Sequence, residues 1–338
     1  MASRELPSHT FLGFTVFSLS VLLLLTRTEP VYSLFYIFAW WSYILVIDGF
    51  IYKLSGDSLL KSRKREFFLL IPWSVFIWLI FETFNFYIQN WYYVHVIDTT
   101  SIRWMGYFVA YGTVLPGLFE TTELLETIGL YSRSHSLPVD ETKHYEPYNR
   151  SCTESTRQGT GWYIPFLILG LASLILPIVW PRYFFPLVWG AFIFLLEPVN
   201  HYFGGRSLMR DRENGSLRKF YLLLTAGLVC GVLWELWNFW AGTKWKYSAP
   251  FFQRLKLFEM PVAGYLGFPV FAVECYVMYN FISLFRENKS WEKDSAVEGQ
   301  KAGPLAFLLA AVLIISYCYL VFQTIDQRTV HSFSRGII

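Results

Sequence analysis

Two stretches of this chain place a carboxylate and a carboxamide three residues apart among aromatic side chains. In Leu233–Tyr247, L-W-E-L-W-N-F-W-A-G-T-K-W-K-Y, Glu235 and Asn238 stand among Trp234, Trp237, Trp240 and Trp245, and Tyr247 closes the stretch. In Ile80–Tyr93, I-F-E-T-F-N-F-Y-I-Q-N-W-Y-Y, Glu82 answers Glu235, Asn85 answers Asn238, Trp91 answers Trp245 and Tyr93 answers Tyr247. Residues three apart share one face of a helix, and an acid held in hydrocarbon is costly unless it faces a bundle interior or a ligand. A carboxyl group walled by aromatic rings can serve as a proton donor, and the ring faces can stabilise a cation that develops beside it. Glu82, Asn85, Glu235 and Asn238 are therefore candidate catalytic residues. Trp234, Trp237, Trp240, Trp245 and Tyr247 are the candidate wall of a substrate cavity. The bland alternative is that each acid and amide hydrogen-bonds across a helix seam and only holds the bundle together.

A second constellation lies in Leu257–Tyr276, L-F-E-M-P-V-A-G-Y-L-G-F-P-V-F-A-V-E-C-Y. Glu259 precedes Pro261, Gly264 and Gly267 allow close backbone approach, and Pro269 frees a carbonyl about one turn before Glu274. Broken helices of this kind line cavities. Glu274 and its counterpart Glu120 join the candidate proton donors. Asp48, Glu197, Glu259 and His201 are candidate ligand contacts, with solvation near the lipid headgroups as the plainer account of Asp48 and Glu197. His201 alone reads more simply as a satisfied interfacial histidine, and with no second membrane histidine it makes no bis-histidine haem site. No metal site and no cofactor are expected. G-x-G-x-x-G, the P-loop, H-E-x-x-H and G-x-S-x-G are all missing, and acid-catalysed isomerisation or cyclisation is among the few chemistries that need none of them.

The elements that must position these groups are membrane helices. Hydrophobic residues make up 54% of the 338, aromatics 20% and charged residues 16%, against roughly 25% charged in soluble domains. Windows of about 20 apolar residues give nine spans: 11–27, 31–54, 67–89, 105–130, 161–179, 182–203, 219–241, 260–285 and 303–323. The first is read as a retained span, because no small-residue cleavage site precedes Thr26-Arg27. Alternate loops then collect 19 of the 28 Lys and Arg on one side, which makes that side cytoplasmic by the positive-inside rule. The expectation is an integral protein of a bacterial inner or plasma membrane, N-terminus in and C-terminus out. At 1.5 Å per residue Glu82 falls about 22 Å from the cytoplasmic start of its span. Glu82 and Glu235 thus form an outer polar layer, and Asp48, Glu120, Glu197 and Glu274 an inner one. Glu123 and Glu126 are expected to reach the cytoplasmic interface, and Trp91, Trp104, Trp162, Trp180, Trp245 and Trp291 to anchor span ends. Cys152, Cys230, Cys275 and Cys318 show no C-x-x-C spacing and no disulfide framework. The sequons at Asn149, Asn214 and Asn288 fall on the cytoplasmic side, where glycosylation does not reach.

The polar segment 131–160 separates two repeats. Pro30 aligns with Pro181, Trp40 with Trp189, Asp48 with Glu197, Ser58 with Ser207, Pro116 with Pro269 and Glu120 with Glu274. The expected class is all-α and polytopic: a first four-span repeat over 1–130, the linker, a second repeat over 161–286, and a ninth span within 287–338 that carries no acid or base. An even number of spans per repeat relates the halves by an axis along the membrane normal.

Tandem helical repeats, each with a carboxylate-bearing helix, a W-x-Y loop and a Gly/Pro-rich helix in which a proline is followed by a glutamate, resemble the membrane-embedded lycopene cyclases of the heterodimeric and fused type. The matching pieces are Pro269 with Glu274, Pro116 with Glu120, and Trp245-Lys246-Tyr247. In those enzymes a Pro-x-Glu-Glu element is linked to acid-catalysed ring closure of a polyene. Here the spacing from proline to acid is wider, the acid is single, and each repeat has four spans instead of three. W-E-x-W-N and F-E-M-P segments are also similar to those of bacterial polytopic membrane proteins whose role is unknown. The first reading is therefore an intramembrane enzyme acting on an isoprenoid or other lipid, with a membrane lipid or lipophilic small molecule as partner and no nucleic acid. The rivals are a proton-coupled secondary transporter with paired carboxylates and a structural or assembly subunit.

Overall fold

The computed structural model describes residues 4–132, 160–251, 253–293 and 303–334. Cys152, Asn149 and most of the expected linker lie outside the described residues. The apolar runs fold as helices α1 Ser8–Leu25, α2 Val31–Ser55, α3 Leu59–Ser62, α4 Lys64–Ile88, α5 Thr100–Tyr111, α6 Val114–Thr127, α7 Tyr163–Val179, α8 Pro181–Phe184, α9 Ala191–Tyr202, α10 Leu208–Glu213, α11 Arg218–Trp240, α12 Gly267–Ser283 and α13 Pro304–Arg328. Short strands are β1 Trp91–Val94, β2 Val96–Ile97, β3 Lys244–Tyr247, β4 Lys256–Leu257, β5 Met260–Pro261 and β6 Phe333–Ser334. Among the described residues 7 helical segments are long and apolar enough to cross a membrane, two of them, Pro181–Tyr202 and Val262–Ser283, running through 3-10 turns. The chain is an all-α polytopic membrane protein.

The other two expected spans differ from continuous crossings. The fifth, α7, is 17 residues long. The fourth is two helices, because the chain breaks at Gly112-Thr113, where Ser74 of α4 donates to the Tyr111 carbonyl at 2.6 Å and accepts from Leu115 N–H at 3.0 Å. The sixth breaks at Trp189, whose φ −80°, ψ 33° are not helical, and there Glu274 accepts the freed Phe192 N–H at 2.8 Å. Backbone released inside hydrocarbon must be satisfied by a neighbour, and at both breaks a polar side chain from an adjacent helix does it.

The two halves repeat each other bond for bond at their polar turns. Asp48 accepts from Ser58 Oγ at 2.9 Å and from Leu60 N–H at 2.9 Å. Glu197 accepts from Ser207 Oγ at 2.6 Å and from Met209 N–H at 2.8 Å. Each acid thus ties the end of a long helix to the start of the short helix, α3 or α10, that follows. β1 and β3 pair antiparallel with Trp91 opposite Tyr247 and Tyr93 opposite Trp245. Since Trp91 answers Trp245 and Tyr93 answers Tyr247, exchanging the halves turns the pair Trp91–Tyr247 into the pair Trp245–Tyr93, and a pseudo-twofold axis passes through the ribbon.

One end of the bundle carries this ribbon and the other the basic loops. At the basic end Arg63 pairs with Glu123, Arg286 with Glu66, Lys219 with Glu126 and Glu292, and Arg206 with Glu292. Glu123 and Glu126 therefore meet cations of neighbouring elements and do not only reach for the interface. Between the ends, Trp40 is fully buried against Trp237 and Trp234 of the second half, with ring centroids 4.8 and 5.4 Å away. Such aromatic pairs add about 0.5–1.5 kcal/mol each beyond area burial, and these join the halves. Trp91 and Trp291, expected at span ends as interfacial anchors, are buried instead. Trp91 opens β1 of the ribbon, with its indole N–H on Glu82. Trp291 stacks on Phe119 at 4.8 Å, and its carbonyl accepts from Arg63.

α13 is longer than the expected ninth span, whose apolar run ends near Phe322 and holds no acid. It runs to Arg328 and carries Asp326, which holds Arg103 through Nε at 2.9 Å and Nη2 at 2.7 Å, Trp104 Nε1 at 2.9 Å and the Tyr107 hydroxyl at 3.0 Å. Beyond it β6 adds to β2 in parallel, and His331 stacks on Tyr92 at 4.1 Å. A window of fixed apolar length stops short of such a polar turn and misses it.

Candidate functional site

Beneath the ribbon, between the halves, lies a cavity of about 560 Å³, within the range of small-molecule sites. Its wall is mainly aromatic, with Trp78, Trp91 and Tyr93 from the first half and Trp189, Trp234, Trp245, Tyr247 and Phe271 from the second. Leu266, Val270 and Phe251 line it and are also exposed on the flank of the bundle.

Each half presents to this cavity a tyrosine backed by a buried glutamate. Tyr247, on β3, donates to Glu235 Oε1 at 2.7 Å, and its own oxygen accepts from Trp245 Nε1 at 2.9 Å. Tyr93, on β1, donates to Glu82 Oε1 and accepts from the Tyr111 hydroxyl at 3.1 Å. Both glutamates have no exposed surface, and neither lines the cavity. The tyrosines stand between the acids and whatever fills it.

The two pairs differ in how fully the acid is engaged. Glu82 Oε1 also accepts from Trp78 Nε1 at 2.9 Å and Trp91 Nε1 at 3.1 Å, so three donors converge on it. Glu235 Oε1 accepts from Tyr247, while the nearby Trp245 indole N–H is given to the Tyr247 oxygen. The counterpart of Trp78 is Gly231, where an added Cβ would stand 2.3 Å from the Phe268 ring. Glycine there admits Phe268, a cavity residue, and removes the indole that would saturate Glu235. Oε2 of each acid is buried without a partner.

Asn85 and Asn238 serve the ribbon. Asn85 Nδ2 donates to the Trp91 carbonyl at 2.8 Å, while Oδ1 accepts from Asn90 and Trp91 N–H at 2.9 and 3.2 Å. Asn238 brackets Trp245 in the same way, donating to its carbonyl and accepting its N–H, both at 2.9 Å. With both ends of each amide engaged by backbone, these residues fix the aromatic strands in register, which is a positioning task.

The candidate wall is also sorted by geometry. Trp234, Trp245 and Tyr247 line the cavity, Trp237 packs behind it on Trp40, and Trp240 is 55% exposed on the outer surface. At 3.6 residues per turn, three residues fall about 60° short of a full turn. Trp234, Trp237 and Trp240 therefore walk from the cavity, through the seam, to the outside.

The remaining candidates lie elsewhere. Glu274 caps the broken α9 through Phe192, and Asp48 and Glu197 hold the α3 and α10 turns, with His9 Nε2 2.9 Å from Asp48 Oδ1. Glu120 is buried without a hydrogen-bond partner on either oxygen and does not line the cavity. His201 sits between the Tyr163 hydroxyl at 2.6 Å and Glu213 at 2.9 Å at the basic end. Glu259 lies in the turn between β4 and β5. Among the described residues no group of three His, Cys, Asp or Glu side chains has the geometry to hold a metal. Sequence reasoning passed over Tyr93, Tyr111, Trp78 and Trp189. For Tyr93 the signal was present, a tyrosine following the glutamate at nearly the same distance in both repeats. Comparison of the chain with protein-family models, with curated proteins and with solved structures finds no match.

Proposed function

We propose that this protein is an integral membrane enzyme that isomerises or cyclises an isoprenoid or other long apolar lipid by proton transfer, with the Glu235–Tyr247 pair as the working acid. One observation carries the reading: an aromatic cavity of about 560 Å³ whose wall presents a tyrosine hydroxyl hydrogen-bonded to a fully buried glutamate. In the proposed step Glu235 starts as the neutral acid, the Tyr247–Glu235 hydrogen bond reverses so that the carboxyl O–H donates to the phenol oxygen, and the freed O–H bond of Tyr247 breaks as a C–H bond forms at an alkene carbon of the lipid. The phenol oxygen left behind keeps the Trp245 N–H and takes up a proton from Glu235. The lipid cation is stabilised by the faces of Trp234 and Phe271. Loss of a proton from a neighbouring carbon returns one to the pair and leaves a rearranged or ring-closed alkene, with no net change in protons or electrons. General acid catalysis of this kind contributes about 10²–10⁴-fold.

Glu82, with three donors on one oxygen, is assigned to holding the first half in shape. The full burial of both glutamates behind tyrosines supports chemistry at the cavity wall over passage of ions. The test is a comparison of lipid extracts from a host expressing the wild type, Glu235→Gln or Glu274→Gln. The reading expects a lipid product present with wild type and Glu274→Gln and missing with Glu235→Gln. Identical extracts from all three would overturn it.

A further inference from the structure

The mouth of the cavity carries a charge pattern that narrows the ligand class, an inference that rests on the lipid-cavity reading above. Every exposed residue lining the cavity belongs to the second half: Pro186, Phe251, Ala263, Leu266 and Val270. The segment that frames this opening, Thr243 to Pro261, holds Lys244, Lys246, Arg254 and Lys256 against a single acid, Glu259. Within it Phe251, Met260 and Pro261 line the cavity, and Lys256 pairs with Pro261 across the β4–β5 ribbon. Arg254 and Lys256 are exposed. Arg182 of α8 is exposed too, and its guanidinium stands over the Tyr183 ring, which lies 6.4 Å from the ring of Phe251.

These cations are not spent within the protein. Among the described residues none of Arg182, Lys246, Arg254 and Lys256 has an ion pair, whereas at the basic end Arg63, Arg206, Lys219 and Arg286 all meet glutamates. The first half lacks the pattern. Lys244 and Lys246 answer Asn90 and Tyr92 there, and Arg103, which lines the cavity from that half, is given to Asp326. The open mouth, the unpaired cations and the Glu235–Tyr247 pair thus fall in the same half. Leu255 and Leu257, exposed beside Arg254 and Lys256, put hydrocarbon and positive charge at one level, as at the headgroup boundary of a bilayer.

We propose that the cavity takes a lipid with a phosphate headgroup, its chain entering past Phe251 and Leu266 and its phosphate held at the rim by Arg254 and Lys256, with Lys246 and Arg182 adding attraction at longer range. A phosphate monoester carries about −1.5 to −2 charge and three acceptor oxygens, which suits several separate cations better than a single carboxylate does.

The test uses the full chain in phosphatidylcholine nanodiscs at low salt, with the fluorescence of the cavity tryptophans as readout. The probes are geranylgeranyl monophosphate and geranylgeraniol, with phosphatidylglycerol and inorganic phosphate as competitors at the concentration of the probe. The monophosphate is expected to bind roughly tenfold more tightly than the alcohol, from two cations near a membrane surface, and to lose most of that advantage in about 0.5 M salt. In the double variant Arg254→Gln, Lys256→Gln the alcohol affinity is expected to hold within about twofold while the advantage of the monophosphate disappears. Neither competitor is expected to displace the monophosphate. Equal binding of the two probes to the wild type, or an advantage that survives the double variant, would overturn the assignment. So would displacement by phosphatidylglycerol, which would make the rim a site for bulk anionic lipid, or by inorganic phosphate, which would make it a site for the free anion. Binding of neither probe would instead overturn the lipid-cavity reading itself. The ranking on wild type decides the question even if the variant folds poorly.

Discussion

Glu82 and Glu235 occupy equivalent places, yet removing them is expected to have opposite consequences for stability and for activity. In Glu82→Ala three buried donors lose their acceptor at once: Trp78 Nε1, Trp91 Nε1 and the Tyr93 hydroxyl. An orphaned buried donor costs about 1–3 kcal/mol. Allowing for relaxation, Glu82→Ala is expected to destabilise by about 3–6 kcal/mol. In Glu235→Ala one donor is orphaned, Tyr247, which keeps its bond from Trp245, and the expected loss is about 1–3 kcal/mol. The assay is equilibrium unfolding in mixed micelles with denaturing detergent, read by tryptophan fluorescence, alongside the lipid-product comparison. The account expects Glu82→Ala to be the less stable protein but to keep activity in the fraction that folds, and Glu235→Ala to fold well and be inactive. Equal destabilisation, or a reversed order, would refute the distinction between a scaffold half and a working half.

Other consequences follow from single contacts. Gly227→Ala would set a Cβ 2.4 Å from the Phe268 carbonyl oxygen and 2.9 Å from Pro269 Cα, so α11 and α12 must separate, at about 1–3 kcal/mol by the same unfolding assay. Asn85→Ala removes the side chain that satisfies both faces of the Trp91 peptide, and faster hydrogen exchange at the Trp91 and Tyr93 amides is expected. Glu292→Gln breaks a partly buried cluster in which Arg206 and Lys219 lie 2.9 and 2.8 Å from the carboxylate, and should cost about 1–3 kcal/mol at neutral pH. Burial opposes the Glu292 charge, but Lys219 and Arg206 hold the carboxyl below its ordinary range. Its contribution is therefore complete at neutral pH and lost as pH falls through the folded-state value. Acid unfolding of Glu292→Gln should accordingly be shallower than that of wild type, and identical slopes would count against the cluster.

Much of this architecture is legible in the chain. Span positions follow from apolar length, and the repeat from pairs such as Asp48 with Glu197 and Ser58 with Ser207, which make the same hydrogen bonds. The ribbon under which the cavity lies is hidden in the W-x-Y elements, because pairing between residues some 150 apart leaves no periodic trace. Roles were harder to read than places. Glu274 carries the same letter as Glu235, yet it caps a broken helix while Glu235 backs a cavity tyrosine. The difference is set by the break at Trp189, which depends on φ/ψ values that no residue spacing encodes. Trp237 and Trp240 share the segment of Trp234, but the slippage of three-residue steps around a helix turns them away from the cavity. Asp326 escaped because it lies past the apolar run that defined its span.

The central claim is proton transfer from Tyr247 to a lipid carbon. Purified protein in nanodiscs, incubated in D₂O with the lipid fraction on which it acts, should place solvent deuterium on a carbon of the product, as read by mass spectrometry. Wild type and Tyr93→Phe are expected to incorporate it and Tyr247→Phe is not. Product formed without deuterium, or equal incorporation by Tyr247→Phe, would contradict the account.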